Sequence, residues 1–542
     1  MLSHESPLRC ALPILAALWL LSAALLWSGA TLADPLEDAL PGLGDRALPV
    51  RQQAVAALVA AGDARALPIL EGLLAGDLYT REGDPAVVLA SPVGTSLRLT
   101  HPITGADLGE ADRSAVKKIT VTNALRTTLR GAIAALSLGS PDPAVRLRSA
   151  RAVMQDPSPE AVATLRARLG QEQDARVRAT LDLALAVAAL RVGTAEERLA
   201  AITTLNGSLY PEARNALAAM LASEPDPAVR AAAQQCLDEI DARVAWNARA
   251  ETLFFGLSLG SVLVLAAIGL AITFGVMGVI NMAHGELMML GAYTTYLVQQ
   301  AMPGLLDYSL FVAIPAAFVV AGLFGIAIER TVIRFLYGRP LETLLATFGI
   351  SLILQQLVRT VISAQNVTVE NPSWMSGSLQ VNPGLALTYN RLYILAFAGA
   401  VFLALLLILK RTALGLQVRA VAQNRAMARA MGVRSQRVDA LTFGLGAGVA
   451  GVAGVALSQL TNVGPNMGQA YIIDSFMVVV FGGVGNLWGT LIGGTVLGVA
   501  NKLMEPWAGA VLAKILVLVF IILFIQKRPR GLFPQRGRAA EG

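Results

Sequence analysis

Apolar residues are distributed along this chain in two regimes. Between residues 34 and 251 they recur at three- and four-residue spacing among charged residues, the period of helices that bury one face. From Thr252 onward they form near-continuous runs, and Thr252–Gly285 holds no formally charged side chain. Further runs follow at 287–300, 308–328, 343–358, 392–409, 440–459, 471–501 and 506–526. Most are long enough, or nearly so, to cross a hydrocarbon layer of about 30 Å. The pattern predicts an all-α protein: a polytopic membrane helix bundle preceded by a mainly helical segment.

Basic loops orient the bundle. Arg330, Arg334 and Arg339 mark one inside loop, Lys410–Arg437 a second, and the tail with Lys527, Arg528 and Arg530 a third. The connectors at 301–307, 362–390 and 461–470 carry no Lys or Arg and are expected outside. This alternation forces 471–501 to enter and leave on one side. Its middle, FGGVGNLWGTLIGG (Phe481–Gly494), has the glycines for a sharp turn, and Asn486 can satisfy a freed backbone group. A pair of broken or half-length helices is therefore expected there. A similar break is expected at Gly275–Gly291, around Asn281, His284 and Glu286.

The amino terminus sets Arg9 before the apolar run Ala11–Trp27 and small residues before Asp34. Residues 1–33 read as a secretory signal cleaved after Ala33, with an uncleaved anchor as the alternative. Either way 34–251 is expected on the exported side. In it, Asp142-Pro143-Ala144-Val145-Arg146, Asp174-Ala175-Arg176-Val177-Arg178 and Asp226-Pro227-Ala228-Val229-Arg230 each open an amphipathic helix. The pattern resembles HEAT-type repeats, with a small strand-containing insert near 77–121. Such a domain can serve as a structural cover or as a docking surface.

Charge follows the same division. Residues 34–251 carry 23 Lys/Arg against 27 Asp/Glu, and 252–542 carry 19 against 9. The basic excess follows membrane topology and calls for no nucleic acid. Two cysteines, Cys10 and Cys236, give neither a disulfide framework nor a cysteine metal site. His284 and Glu286 alone are too few ligands for a metal. No nucleophile–base pair and no G-x-x-x-x-G-K-[ST] motif occur, so neither an enzyme nor a cofactor or nucleotide site is expected. Polar groups within the apolar runs, Asn281, His284, Glu286, Gln355 and Asn486, are candidates for gating or for contact with a small polar solute. The connector Lys410–Arg437 reads as short helices with a small apolar stripe, Ala422, Ala426, Met427 and Ala430, closed by Gly432. It can hold a soluble partner or simply rest on anionic lipid.

Four stretches in order carry a resemblance: Gly278–Tyr293, Thr347–Gln355, Gly415–Gly454 and Val478–Gly494. They resemble bacterial inner-membrane permeases of the branched-chain amino acid class of ABC importers. The resemblance implies a multi-pass inner-membrane protein working with a second related permease, two cytoplasmic ATPases and a periplasmic solute-binding protein. It implies ATPase coupling through Gly415, Arg419, Arg425, Ala426, Met427, Ala428 and Gly432. Gln423 and Asn424 depart from the pattern, standing where an acid is common. The exported extension followed by Ala283–Tyr296 looks like the urea-transport branch, which makes urea the expected solute and a branched-chain amino acid the alternative. A membrane-anchored solute sensor is the alternative from another class.

Overall fold

A computed structural model describes residues 34–81, 86–93, 96–155 and 157–533. The expected signal segment 1–33 lies outside the described residues. The chain divides into two compact units, Met1–Asp241 and Ala242–Gly542.

The first unit opens with α1 (Pro35–Gly44), α2 (Leu48–Ala60) and α3 (Ala66–Ala75). A five-stranded antiparallel sheet follows, built from β1 (Leu78–Arg81), β2 (Val87–Val93), β3 (Ser96–Thr100), β4 (Asp107–Ala111) and β5 (Val116–Lys118) in the order β4-β3-β2-β1-β5. The strands fall in the insert expected near 77–121, and as a five-stranded sheet they make the chain mostly helical rather than all-α. Val88, Ala90, Leu97 and Leu99 alternate inward and give the sheet its own apolar face. Six helices come next: α4 (Asn123–Leu138), α5 (Pro143–Gln155), α6 (Pro159–Leu169), α7 (Ala175–Val192), α8 (Ala195–Leu205) and α9 (Pro211–Leu221). Their starts are fixed by side-chain caps. Ser158 accepts from the Ala161 amide, Asp174 from the Arg176 and Val177 amides, and Thr194 forms a reciprocal box with Glu197.

A polar alternation runs through these helices at 26-residue intervals: Arg146, Glu172, Arg198, Glu224. Arg146 grips Glu172 through two hydrogen bonds of 2.8 Å, and Arg198 reaches Glu224 at 2.6 Å. Arg178 and Arg230 donate to the Glu172 and Glu224 carbonyls. The same wiring thus recurs 52 residues apart, tying each helix start to the preceding turn. The Arg146 side chain, then the Asp174 backbone amide, hold the Glu172 carboxyl down at about 2, against an ordinary 4.5. A depressed carboxylate contributes stability above the unfolded-state value, lost as pH falls through the folded one. Amides of α5 and α7 in the full-length protein are therefore expected to lose hydrogen-exchange protection between about pH 4.5 and 2. Glu172→Gln should show weaker protection at neutral pH and little further loss over that window.

The second unit begins within α10 (Pro227–Met277), a helix with no proline after its first residue. Then come α11 (His284–Ala301), α12 (Leu306–Thr331), α13 (Pro340–Val361), a hairpin of β6 (Ser378–Asn382) and β7 (Leu385–Thr388), and α14 (Tyr389–Arg411). Two short helices, α15 (Ala413–Gln423) and α16 (Arg425–Ala430), precede α17 (Ser435–Ser458), α18 (Met467–Gly482) and α19 (Leu487–Lys527). Six described helices are long and apolar enough to cross a membrane; α18 is shorter but apolar.

The central helix is α17, nearly all buried, packing against α11 and α12. Its glycines permit this. A Cβ on Gly291 would overlap the Gly451 carbonyl, and one on Gly454 the Met288 carbonyl. Close backbone approach of this kind replaces the hydrophobic drive that lipid does not supply.

The expected helix pair at 471–501 is found as α18 and the first part of α19, joined by the turn 483–486. That turn lies against the tail: the Leu532 amide donates to the Phe481 carbonyl at 2.9 Å and the Phe533 amide to that of Gly482 at 3.1 Å. The next crossing is not separated at Pro506. Instead α19 continues past it and breaks at Gly509, whose φ of 77° is left-handed.

Candidate functional site

The break expected around Asn281 forms in a specific way. Helix α10 ends at Met277, Gly278 takes a φ of 68°, and α11 starts at His284. His284 Nε2 lies 2.9 Å from the carbonyl of Ala266. Ala266 is eleven residues before the end of α10, ~16 Å along it at the helical rise. Helix α11 therefore starts well back along α10, and 278–283 is non-helical backbone between two apolar helices. Within a membrane, such backbone persists only where protein or a wet cavity surrounds it. The Asn281 carboxamide oxygen accepts from the Ala283 amide at 3.0 Å, and the Met282 amide donates to Thr347 Oγ1 at 3.1 Å.

His284 and Glu286 do not form one cluster. Two residues apart on a helix, they face opposite ways: His284 against α10, Glu286 against α13 and α18. Both are almost fully buried. Glu286 Oε1 accepts from Ser351 Oγ at 3.0 Å and from Gln355 Nε2 at 2.8 Å. Its Oε2 accepts nothing among the described residues, and neither does His284 Nδ1; Asn281 Nδ2 donates to nothing. No group of three metal-ligating side chains occurs among the described residues.

Gln355 thus joins Glu286. Asn486 does not: its oxygen caps α19, accepting from the Trp488 and Gly489 amides at 3.0 and 3.2 Å, and its Nδ2 donates to the Phe533 carbonyl. Ser351 and Thr347 were missed because hydroxyls look unremarkable in an apolar run. Their four-residue spacing from Gln355 was the available signal.

The connector packs beside the end of α10: Val418, Val421 and Ala428 share a buried apolar cluster with Val276, Met277 and Val279. Thr412 Oγ1 caps α15 through the Gly415 amide at 3.2 Å, and Asn424 caps α16 through the Met427 amide at 2.9 Å. Gly415 is buried where a Cβ would overlap the Leu409 carbonyl, and Arg419 donates to that carbonyl. Gly432 takes a φ of 85° and ends the turn. Arg425 does not face outward: its guanidinium grips Asp439 at 2.7 and 2.8 Å and stacks 3.9 Å from the centre of the Tyr337 ring. Ala428 is buried, whereas Ala426 is exposed, with Leu416, Met427 and Met431 more than half exposed. The connector thus exposes several apolar side chains on a basic segment. A cavity of about 540 Å³ lies between α15 and the turn 483–488, lined by Lys410, Arg419, Gln423 and Asn486 among others.

Residues from 252 onward are similar to known sequences. The family described as branched-chain amino acid transport system / permease component matches residues 252–525. The high-affinity branched-chain amino acid transport system permease protein LivH of Salmonella typhimurium is 32% identical over 291 residues, 52% of this chain and 94% of its own. BraD of Pseudomonas aeruginosa, named for the same transport system, is 32% identical over 292 residues, again 52% and 94%. A probable LivH from Methanocaldococcus jannaschii is 26% identical over 288 residues, 50% and 88%. No solved structure matches the chain. The broken helices, the buried Glu286 and the basic connector all fall inside the matched stretch, and the chain belongs to the permease component family of branched-chain amino acid transport systems.

Proposed function

We propose that this chain is the membrane permease subunit of an ATP-driven importer in the bacterial inner membrane, passing a branched-chain amino acid inward. It works with a second related permease, two cytoplasmic ATPases and a periplasmic solute-binding protein, and residues 34–251 face the periplasm as a HEAT-like domain. The family match over 252–525 supports this most directly, because the relatives it shares are named for that transport system. Urea is the second solute, favoured by the long segment before residue 252, which lies outside the match. Uptake of labelled leucine and labelled urea, each with the other as competitor, in a deletion strain with and without this gene tests the assignment. Gene-dependent uptake of neither solute would refute it.

Docking is assigned to the connector's exposed side chains: Leu416, Ala426, Met427 and Met431 offer apolar contacts, and Arg429 and Arg434 add charge. Burying one medium apolar side chain at such a contact is worth about 2 kcal/mol. Met427→Glu is expected to lower co-purification of the ATPase, and with it uptake, by about tenfold at unchanged abundance in the membrane. Unchanged co-purification would remove Met427 from the contact.

A further inference from the structure

One face of α13 carries a ladder that the family assignment does not use. Thr343, Thr347, Ser351, Gln355 and Arg359 stand four residues apart along this 22-residue helix. The first four are buried, while Leu345, Phe348, Leu352, Ile353 and Leu357 on its other faces are exposed. From Thr347 outward the rungs make three sets of contacts. Thr347 accepts from the Met282 amide of the 278–283 turn. Ser351 and Gln355 both donate to Glu286 Oε1. Arg359 Nη2 donates to Asn466 Oδ1 at 2.6 Å, in the loop leading to α18. The ladder thus links non-helical backbone at both its ends, and Glu286 sits in the middle.

Ordinary helix–helix bonding does not account for Glu286. Two donors converge on Oε1, while Oε2 accepts none from the described residues although Glu286 is 1% exposed. Beside Oε2 stands Gly468, where a Cβ would come within 2.7 Å of that oxygen. That Cβ would also meet the Gly285 backbone at 2.5 Å, so glycine lets α18 close on α11 directly beside a buried acceptor. Buried polar groups at membrane depth are paired or belong to a solute path.

We propose that the α13 ladder is one wall of the solute path, and that Glu286 Oε2 accepts a hydrogen bond from an N–H group of the passing solute. An α-ammonium of an amino acid and an amide N–H of urea share that chemistry. The inference rests on the import function proposed above. Ser351 and Gln355 orient the carboxylate, and Thr347 and Arg359 are the next polar stations toward the two sides.

The test uses the assembled importer in proteoliposomes with its ATPases and solute-binding protein. Glu286→Gln is the informative variant: its carboxamide oxygen keeps the bonds from Ser351 and Gln355, while an NH₂ replaces the free acceptor. ATP-driven accumulation is expected to fall by about tenfold or more with assembly unchanged, the effect of losing one hydrogen bond to a charged partner. Ser351→Cys, Gln355→Cys and Leu352→Cys are then made in a chain carrying Cys10→Ala and Cys236→Ala. During turnover, aminoethyl methanethiosulfonate should react with the first two about tenfold faster than with the lipid-facing third, since only thiols reached by water ionise. Binding protein loaded with leucine or with urea should slow that reaction, and the protecting solute identifies the donor. Full accumulation in Glu286→Gln, or positions 351 and 355 as unreactive as 352, overturns the path while leaving import standing. A parent chain that accumulates neither solute with ATP overturns the import function, and the path with it.

Discussion

Gly451→Leu is expected to abolish the folded permease unit. Gly451 stands where α11, α12 and α17 cross: a Cβ there would meet Ala321 Cβ at 2.6 Å and press on the Ala317 carbonyl, while Gly291 packs on it from α11. Backbone on two sides leaves the new side chain nowhere to rotate, so α17 must separate from its neighbours. Overpacking costs about 1–3 kcal/mol in a core able to shift, and this site is at or beyond the upper end. Gly399→Leu is the control, because nothing lies within 4 Å of a Cβ at that position. Size-exclusion chromatography in mild detergent should give no monodisperse peak for Gly451→Leu and a normal one for Gly399→Leu. Equal peaks would mean that close helix approach at Gly451 does not hold the bundle together.

Arg425→Ala is expected to release the connector. Arg425 and Asp439 are 18% and 7% exposed, and removing the arginine leaves a nearly buried carboxylate with no counter-charge. Breaking such a pair from one side costs on the order of 3 kcal/mol. The Tyr337 stack is lost with it. Arg425→Lys should rescue poorly, because an ammonium cannot make the two-pronged contact. Arg425→Gln combined with Asp439→Asn, which removes both charges, should recover much of the loss. Trypsin cleavage around Arg429 and Arg434 should accelerate in Arg425→Ala, and ATP-driven uptake should fall by about tenfold or more. Wild-type cleavage and uptake in this variant would show that Arg425 does not anchor the connector.

How much of this was legible in the sequence follows from the range of each interaction. The apolar runs and basic loops are statements about composition over some twenty residues, and the membrane helices follow them closely. The turn at 483–486 was readable because glycines cluster there and the alternation of sides required a reversal. The position of His284 was not, since it depends on α11 meeting α10 at Ala266 rather than at its end. The resemblance puts Arg425 in the coupling segment; its ion pair is not legible in the sequence, because Asp439 lies 14 residues away, on α17. Exposure of Met427 and Met431 was likewise invisible in sequence, where a methionine reads equally well as core. Thr347 and Ser351 are hidden by mild polarity, although their spacing is visible in the sequence. The compositional break near 246–251 does not interrupt the backbone: α10 runs through it because no proline intervenes.

In the function proposed above, residues 252–525 form a conduit that moves no solute uphill by itself and is driven through the connector. The purified chain, its companion permease and the solute-binding protein are placed in sealed vesicles, with and without the ATPases, and labelled solute is followed inward. Accumulation against a gradient only when the ATPases are present and hydrolysing ATP is the predicted result. Accumulation without them, or with ATPases bound to vesicles in which the connector has been cut at Arg429, would contradict it.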